Sequence, residues 1–191
     1  MNENNVFIEL KNIRKIFPGV VALEDVDFDV KYGEVHALVG ENGAGKSTLI
    51  KILGGAYQPD AGEIIIEGKH ANISATFMAQ HFKIAVIYQE FNLVPDLSVA
   101  ENIFIGREPK IGKSFVNWKK INNDAAEILK KLDIDINPRK FIADLSVAEK
   151  QMIEIAKSLS MDAKLIIMDE PTASLTEKEV LKLFSTLLIS G

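Results

Sequence analysis

Cysteine is absent from the 191 residues, which excludes a disulfide framework and any thiolate metal site and suits a reducing cytosol. No uninterrupted apolar run approaches the ~20 residues that a membrane-spanning helix requires. If the protein works at a membrane, another chain is expected to anchor it. The opening Met1-Asn2-Glu3-Asn4-Asn5 has neither a basic start nor an apolar core, so no signal peptide is expected. A basic excess is also lacking: the formal net charge of −5 argues against a general nucleic-acid binder, which needs concentrated Lys and Arg. A local basic patch stays compatible with that balance. The remainder, 47% hydrophobic and 26% charged, is ordinary for a globular chain able to bury one core, with room for a modest insertion.

What is present is organised around Gly40-Glu41-Asn42-Gly43-Ala44-Gly45-Lys46-Ser47-Thr48. Gly40, Gly45, Lys46 and Ser47 meet the spacing G-x-x-x-x-G-K-[S/T] of a phosphate-binding loop. The loop follows the apolar run Val35 to Val39 and leads into Thr48-Leu49-Ile50-Lys51-Ile52-Leu53. This is the strand, glycine loop and helix context that the motif needs. Glycines let consecutive N–H groups face one concavity, and the helix start aims free N–H groups and a positive dipole end there. The expected occupant is a polyphosphate, with Lys46 reaching the β- and γ-phosphates and the Ser47 hydroxyl on Mg²⁺. A plain tight turn between strand and helix is the competing reading. The dinucleotide spacing G-x-G-x-x-G is not met.

Around the loop, Val6, Ile8 and Leu10, and later Val26, Phe28 and Val30, alternate with polar neighbours and predict antiparallel strands with one wet face. Phe17-Pro18-Gly19 between them signals a turn. Phe17 there either covers the sheet edge or stacks on adenine. Val35 to Val39 predicts a strand buried on both faces. Leu53-Gly54-Gly55 stops the helix, Glu63 to Glu67 predicts a short strand, Ser74 to Gln80 a short helix and Ile84 to Tyr88 another strand ending at Gln89. From Glu90 to about Asp144 the pattern turns to helices and loops, with a capping box at Ser98 and Glu101 and a helical stripe of Ala125, Ile128, Leu129 and Leu132. Trp118 is expected to belong to that packing. Leu145 to Gln151 opens a helix whose apolar face includes Met152, Ile155, Ala156 and Leu159. Leu165 to Met168 predicts a strand ending in Asp169-Glu170-Pro171-Thr172. Thr176 and Glu179 cap a last helix with the stripe Val180, Leu183, Phe184, Leu187 and Leu188. A strand is expected to follow such a helix, so the sequence looks cut short at Gly191.

Two carboxylates directly after a buried strand suit phosphoryl transfer. Asp169 is the natural second holder of Mg²⁺ beside Ser47, and Glu170 would position or deprotonate water near the γ-phosphate. The plainer alternative is that both only end a strand. Gln89, at the end of another strand, either reaches the same ion or water or is a solvated end residue.

These pieces together resemble a nucleotide-binding domain of the ATP-binding cassette family. The matching residues span Phe17 to Thr176: the aromatic before the loop, the loop itself, Tyr88-Gln89, Leu145-Ser146 followed by Gln151, and Met168 to Thr172. Phe17 to Val20, Asn102 to Glu108 and Gln151 to Lys157 look specific to the first domain of sugar-import ATPases of the ribose, xylose and galactoside type. The resemblance implies an α/β fold, a P-loop NTPase core of mostly parallel sheet with an N-terminal antiparallel β subdomain. The core would comprise residues 1–89 and 145–191, with an α-helical subdomain at 90–144. It also implies ATP and Mg²⁺, with Phe17 and Gly40 to Thr48 holding nucleotide and Lys46, Gln89 and Glu170 serving catalysis. Ser47, Asp169 and Gln89 would hold the metal. Leu145, Ser146, Val147, Ala148 and Glu149 would contact ATP on a second such domain facing head to tail, usually in the same polypeptide. Membrane-spanning permease subunits, indirectly a sugar-binding protein, and a peripheral place on the cytoplasmic face of the plasma membrane follow from the same resemblance.

Two departures qualify it. The family's signature is usually Leu-Ser-Gly-Gly-Gln, whereas Val147, Ala148 and Glu149 fill the last three places here. Ala148 adds a Cβ where glycine would permit close approach to phosphate, while Ser146-x-x-Glu149 also satisfies a capping box. Further, the family's γ-phosphate histidine would lie beyond Gly191, so this stretch alone is expected to bind nucleotide and turn it over poorly. A domain that clamps ATP without hydrolysis, or a soluble cassette protein outside transport, are the alternatives.

Overall fold

The computed structural model describes residues 5–41, 43–88, 90–112 and 115–169. They form two compact units that divide between Val86 and Ile87.

In the first unit, β1 (Val6–Phe17) lies between β2 (Val20–Lys31) and β3 (Ala61–Ile66), and β3 pairs with β4 (Lys69–Ala71). Every pairing is antiparallel. Pro18 and Gly19 make the first turn, with Gly19 at φ 79°. Glu67 and Gly68 make the β3–β4 turn, both at positive φ (51° and 76°), as a two-residue hairpin loop with the strands' own twist demands. The predicted alternation in β1 holds from Ile8 to Leu10 but not before it. Phe7 and Ile8 are both buried, because the pairing with β2 shifts register between Val6 and Ile8. Helix α1 (Lys46–Leu53) buries Leu49, Ile50, Ile52 and Leu53 and stops at Gly54-Gly55. Helix α2 (Thr76–His81) overlaps the predicted stretch Ser74 to Gln80 and ends one residue beyond it.

One expectation fails here. Val35 to Val39 forms no strand, and Val35, Leu38 and Val39 are 60%, 40% and 89% exposed. A strand buried on both faces needs a paired neighbour on each side to satisfy its backbone. Among the described residues no strand pairs with this run.

Strand β5 (Ile84–Ile87) leads into the second unit. There α3 (Val99–Phe104), α4 (Trp118–Lys131) and α5 (Val147–Leu159) pack together. A hairpin of β6 (Lys110–Ile111) and β7 (Phe115–Val116) precedes α4, and β8 (Leu165–Met168) follows α5. The core joins Val99, Ala100 and Ile103 of α3, Ile121, Ala125 and Leu129 of α4, and Ile153, Ile155 and Ala156 of α5. Burying each such Ile or Leu side chain contributes about 1.5–3 kcal/mol. The capping box at Ser98 and Glu101 is present. Trp118, expected in the packing, stands 55% exposed at the first turn of α4. The stripe that packs begins one turn later at Ile121. Helix α5 is buried more broadly than the expected stripe: Gln151, Ile153, Glu154 and Ser158 are buried with Ile155 and Ala156. The helix expected after Thr176 lies outside the described residues.

Candidate functional site

The phosphate-loop residues gather at the start of α1. Gly45 is its N-cap, at φ 85° in the left-handed region, and no side chain caps the helix. Any side chain at that backbone angle is strained, and space forbids one as well. A Cβ on Gly45 would sit 2.6 Å from the Ala22 carbonyl oxygen and 2.7 Å from Leu23 Cδ2. The first bond along the helix is the Leu49 N–H to the Gly45 carbonyl at 2.9 Å. An α-helix leaves its first N–H groups without an intrahelical acceptor, and no side chain here supplies one. Lys46 folds back over the loop, its ammonium donating to the Gly40 carbonyl and, at 2.9 Å, to that of Glu41. Ala44 N–H closes a turn on the Glu41 carbonyl at 3.1 Å. Ser47 is exposed and Thr48 half-buried. The resulting feature is a helix start with unfilled donors, an ammonium held by neutral carbonyls and an exposed hydroxyl. That donor set fits a polyphosphate with its cation. Asn42 lies outside the described residues.

Phe17 ends β1, half-buried. Its ring meets Tyr57 edge-on at 5.4 Å, and the Lys15 ammonium lies 5.6 Å from its centroid. These contacts serve the edge-covering reading and leave the adenine reading open.

In the second unit, Asp169 directly follows β8, half-buried, and its N–H donates to the Ile87 carbonyl at 2.9 Å. That bond places Asp169 beside Tyr88, whose hydroxyl pKa is raised by burial and then by the Asp169 charge. Gln89 and Glu170 lie outside the described residues. The signature segment is well defined. Ser146 caps α5, its hydroxyl accepting from Glu149 N–H at 3.2 Å while the Glu149 carboxylate accepts from Ser146 N–H at 2.7 Å. Lys140 approaches the same carboxylate at 3.4 Å. The Glu149 carboxyl is held below its ordinary range, chiefly by the Ser146 backbone bond, then by its hydroxyl, with Lys140 adding less. Leu145 is buried, whereas Val147 is 57% exposed.

Three further polar residues, Asn102, Glu154 and Lys157, lie in the two segments that look specific to the sugar branch but carry no role from sequence; each is bonded to backbone of the 92–98 segment. The available signal was a carboxylate between Ile153 and Ile155 on a helix flanked by core residues.

The left-handed glycine entry of α1 after Gly40, with Lys46 folded over the loop, is the geometry of a P-loop, and the second unit separately sets Asp169 at the end of the half-buried strand β8. The ABC transporter family model matches residues 23–173, and the chain belongs to that family. It is 53% identical over 185 residues to a ribose import ATP-binding protein of Streptomyces avermitilis, covering 97% of this chain and 35% of that protein. It is 52% identical to a putative ribose/galactose/methyl galactoside import ATP-binding protein of Agrobacterium fabrum, covering 97% and 36%. The chain thus spans about a third of the length of the curated relatives it matches. Among solved structures, a nucleotide-free ATP-binding cassette from an ABC transporter superposes with TM-score 0.82 at 26% identity, over 96% of this chain and 76% of that one. A dimeric bacterial ABC transporter cassette gives 0.79 at 27% identity, over 94% and 81%. The fold is that of the ABC ATPase cassettes.

Proposed function

We propose that this chain is the ATP-hydrolysing cassette that energises carbohydrate import. The observation that carries the reading is the uncapped, left-handed glycine entry of α1 with Lys46 and Ser47 at its mouth. The loop from Gly40 to Thr48 and the Lys46 ammonium bind the polyphosphate, and Phe17 orients the base. Ser47, Asp169 and Gln89 hold Mg²⁺, which supplies charge neutralisation on the transferring phosphoryl group. Glu170 orients the attacking water and takes its proton. Residues 1–89 and 145–191 serve as the ATP-binding core and 90–144 as the helical subdomain. The relatives' names support sugar import. In this reading the chain sits peripherally at the cytoplasmic face of the plasma membrane, its partners are a second cassette in the same polypeptide and permease subunits, and a sugar-binding protein is an indirect partner.

The test uses the full-length polypeptide assembled with its membrane subunits in lipid vesicles. Glu170→Gln is expected to abolish ATP turnover while nucleotide binding persists. Turnover equal to the unmodified protein would overturn the reading. Uptake assays with ribose, galactose and methyl galactoside then address the cargo.

A second reading, a cassette that clamps ATP with weak turnover, is favoured by one observation. The Ser146 and Glu149 N–H groups at the start of α5 are taken by their reciprocal cap, so a phosphate from a facing site that reaches those amides competes with it. If a paired Ala148→Gly, Glu149→Gln variant leaves ATPase unchanged, this second reading is wrong.

A further inference from the structure

Residues Glu90 to Leu97 form no helix or strand, so their backbone groups have no ladder to fill. Two side chains of α5 take both backbone groups of Asn92. Glu154 Oε1 accepts from its N–H at 2.7 Å, and Lys157 Nζ donates to its carbonyl at 3.1 Å. Glu154 and Lys157 are three residues apart, so they stand on one helical face. Two positions further on, Asn102 of α3 repeats the arrangement on Val94. Its Oδ1 accepts from the N–H at 2.7 Å and its Nδ2 donates to the carbonyl at 3.1 Å.

Glu154 is only 6% exposed. Burial raises its carboxyl above the ordinary range, and the Lys157 charge and the Asn92 N–H act in the opposite direction. A buried carboxylate costs free energy unless it is bonded. An apolar side chain would fill the position without that cost, as Ile153 and Ile155 do on either side.

We propose that Glu154 and Lys157 are positioning residues that fasten the backbone at Asn92, three residues beyond Gln89, to the helix that begins at the signature segment. The segment from Asn92 and α5 then move as one body, so engagement of Ser146 to Glu149 is transmitted toward Gln89. This rests on the reading of the chain as an ATP-hydrolysing cassette. It adds that the loop's link to α5 sets turnover without setting nucleotide affinity, which belongs to the phosphate loop.

The full-length polypeptide with its membrane subunits is compared as unmodified protein, E154M, K157M, E154Q and K157R. Amide hydrogen exchange is followed in peptides covering 90–98 and 147–159, beside kcat and KM for ATP. E154M and K157M are expected to speed exchange in 90–98 at least ~10-fold with 147–159 unchanged. They should lower kcat about five- to tenfold with KM within about twofold. E154Q and K157R keep an acceptor and a donor in place and should restore both measures. An unchanged kcat in E154M and K157M despite faster loop exchange overturns the proposal. So does E154Q behaving as E154M does. Should E154M also loosen 147–159, the more exposed K157M decides by the same measures. Absence of Lys46-dependent turnover in the unmodified protein overturns the cassette reading and with it this role. Turnover that is present but indifferent to both Met variants overturns this role alone.

Discussion

Helix α1 enters from a left-handed glycine with no side chain over its first amides, whereas α5 enters from Ser146 with a carboxylate and a hydroxyl in reciprocal bonds. Both ends carry the positive pole of a helix. One is left uncapped, and the other is capped by the chain's own side chains at Ser146 and Glu149. The difference shows that an anion site is made less by the helix than by what is withheld from its first turn. At α1 the sequence spends a glycine where a cap would be stabilising by ~1 kcal/mol, and the gain is an unfilled set of donors. At α5 the cap takes up the N–H groups of Ser146 and Glu149, and a ligand reaching those two amides would have to displace it.

The largest expected break in this contrast is Gly45→Ala. Its Cβ would meet the Ala22 carbonyl and Leu23 at a positive φ, so denaturant unfolding should show a loss on the order of 2–3 kcal/mol. Titration with a fluorescent ATP analogue should show binding lost with it. Next in size, Lys46→Met should weaken ATP binding about 10- to 100-fold, the worth of a charge-assisted bond. Stability should barely change, since among the described residues the ammonium bonds to carbonyls of its own loop. Ser146→Ala should cost ~1 kcal/mol by losing the cap, with no loss of binding at the phosphate loop. A matching loss of ATP affinity would mean that the two helix starts are not independent.

The smallest effect is in pH dependence, where two carboxylates of α5 are expected to have opposite signs. Glu149 has a lowered pKa, so its contribution is present above the ordinary carboxylate pKa and fades as pH falls through the depressed value. Glu154 has a raised pKa, so the folded state binds more protons than the unfolded state between the ordinary and raised values. Its contribution therefore declines as pH rises through that window. Melting curves across the acid range should show Glu149→Gln removing a rise with pH and Glu154→Gln removing a fall.

Local pattern carried much of this fold. The Phe17-Pro18-Gly19 turn, the strands around it, the Gly54-Gly55 stop and both capping boxes depend on residues a few positions apart, which a sequence displays directly. Val35 to Val39 was misread because an apolar run records a need for neighbours without recording whether they are there. Trp118 was misread because helical spacing identifies a stripe but not how far along the helix the packing extends. The bonds from Glu154 and Lys157 to Asn92 join residues 62 and 65 positions apart. Helical periodicity shows that such side chains face inward without showing which loop they meet. At the candidate site, the spacing of Gly40, Gly45, Lys46 and Ser47 was legible, whereas the collision that fixes Gly45 lies against Ala22 and Leu23 of β2, more than twenty positions away.

Asn102 gives the loop from Val94 to Ser98 something unusual for an irregular segment. Its one amide is bonded to four backbone atoms, the N–H and carbonyl of Val94 and the carbonyls of Leu97 and Ser98. No loop side chain takes part in these contacts, and Val94, Pro95 and Asp96 are exposed. The loop's path is thus set in good part from α3, and the exposed side chains of Val94 and Asp96 make none of these bonds. Changes at Val94 and Asp96 would then alter the surface this loop presents, while Asn102 and the backbone bonds from Ile142 and Ala143 hold its course.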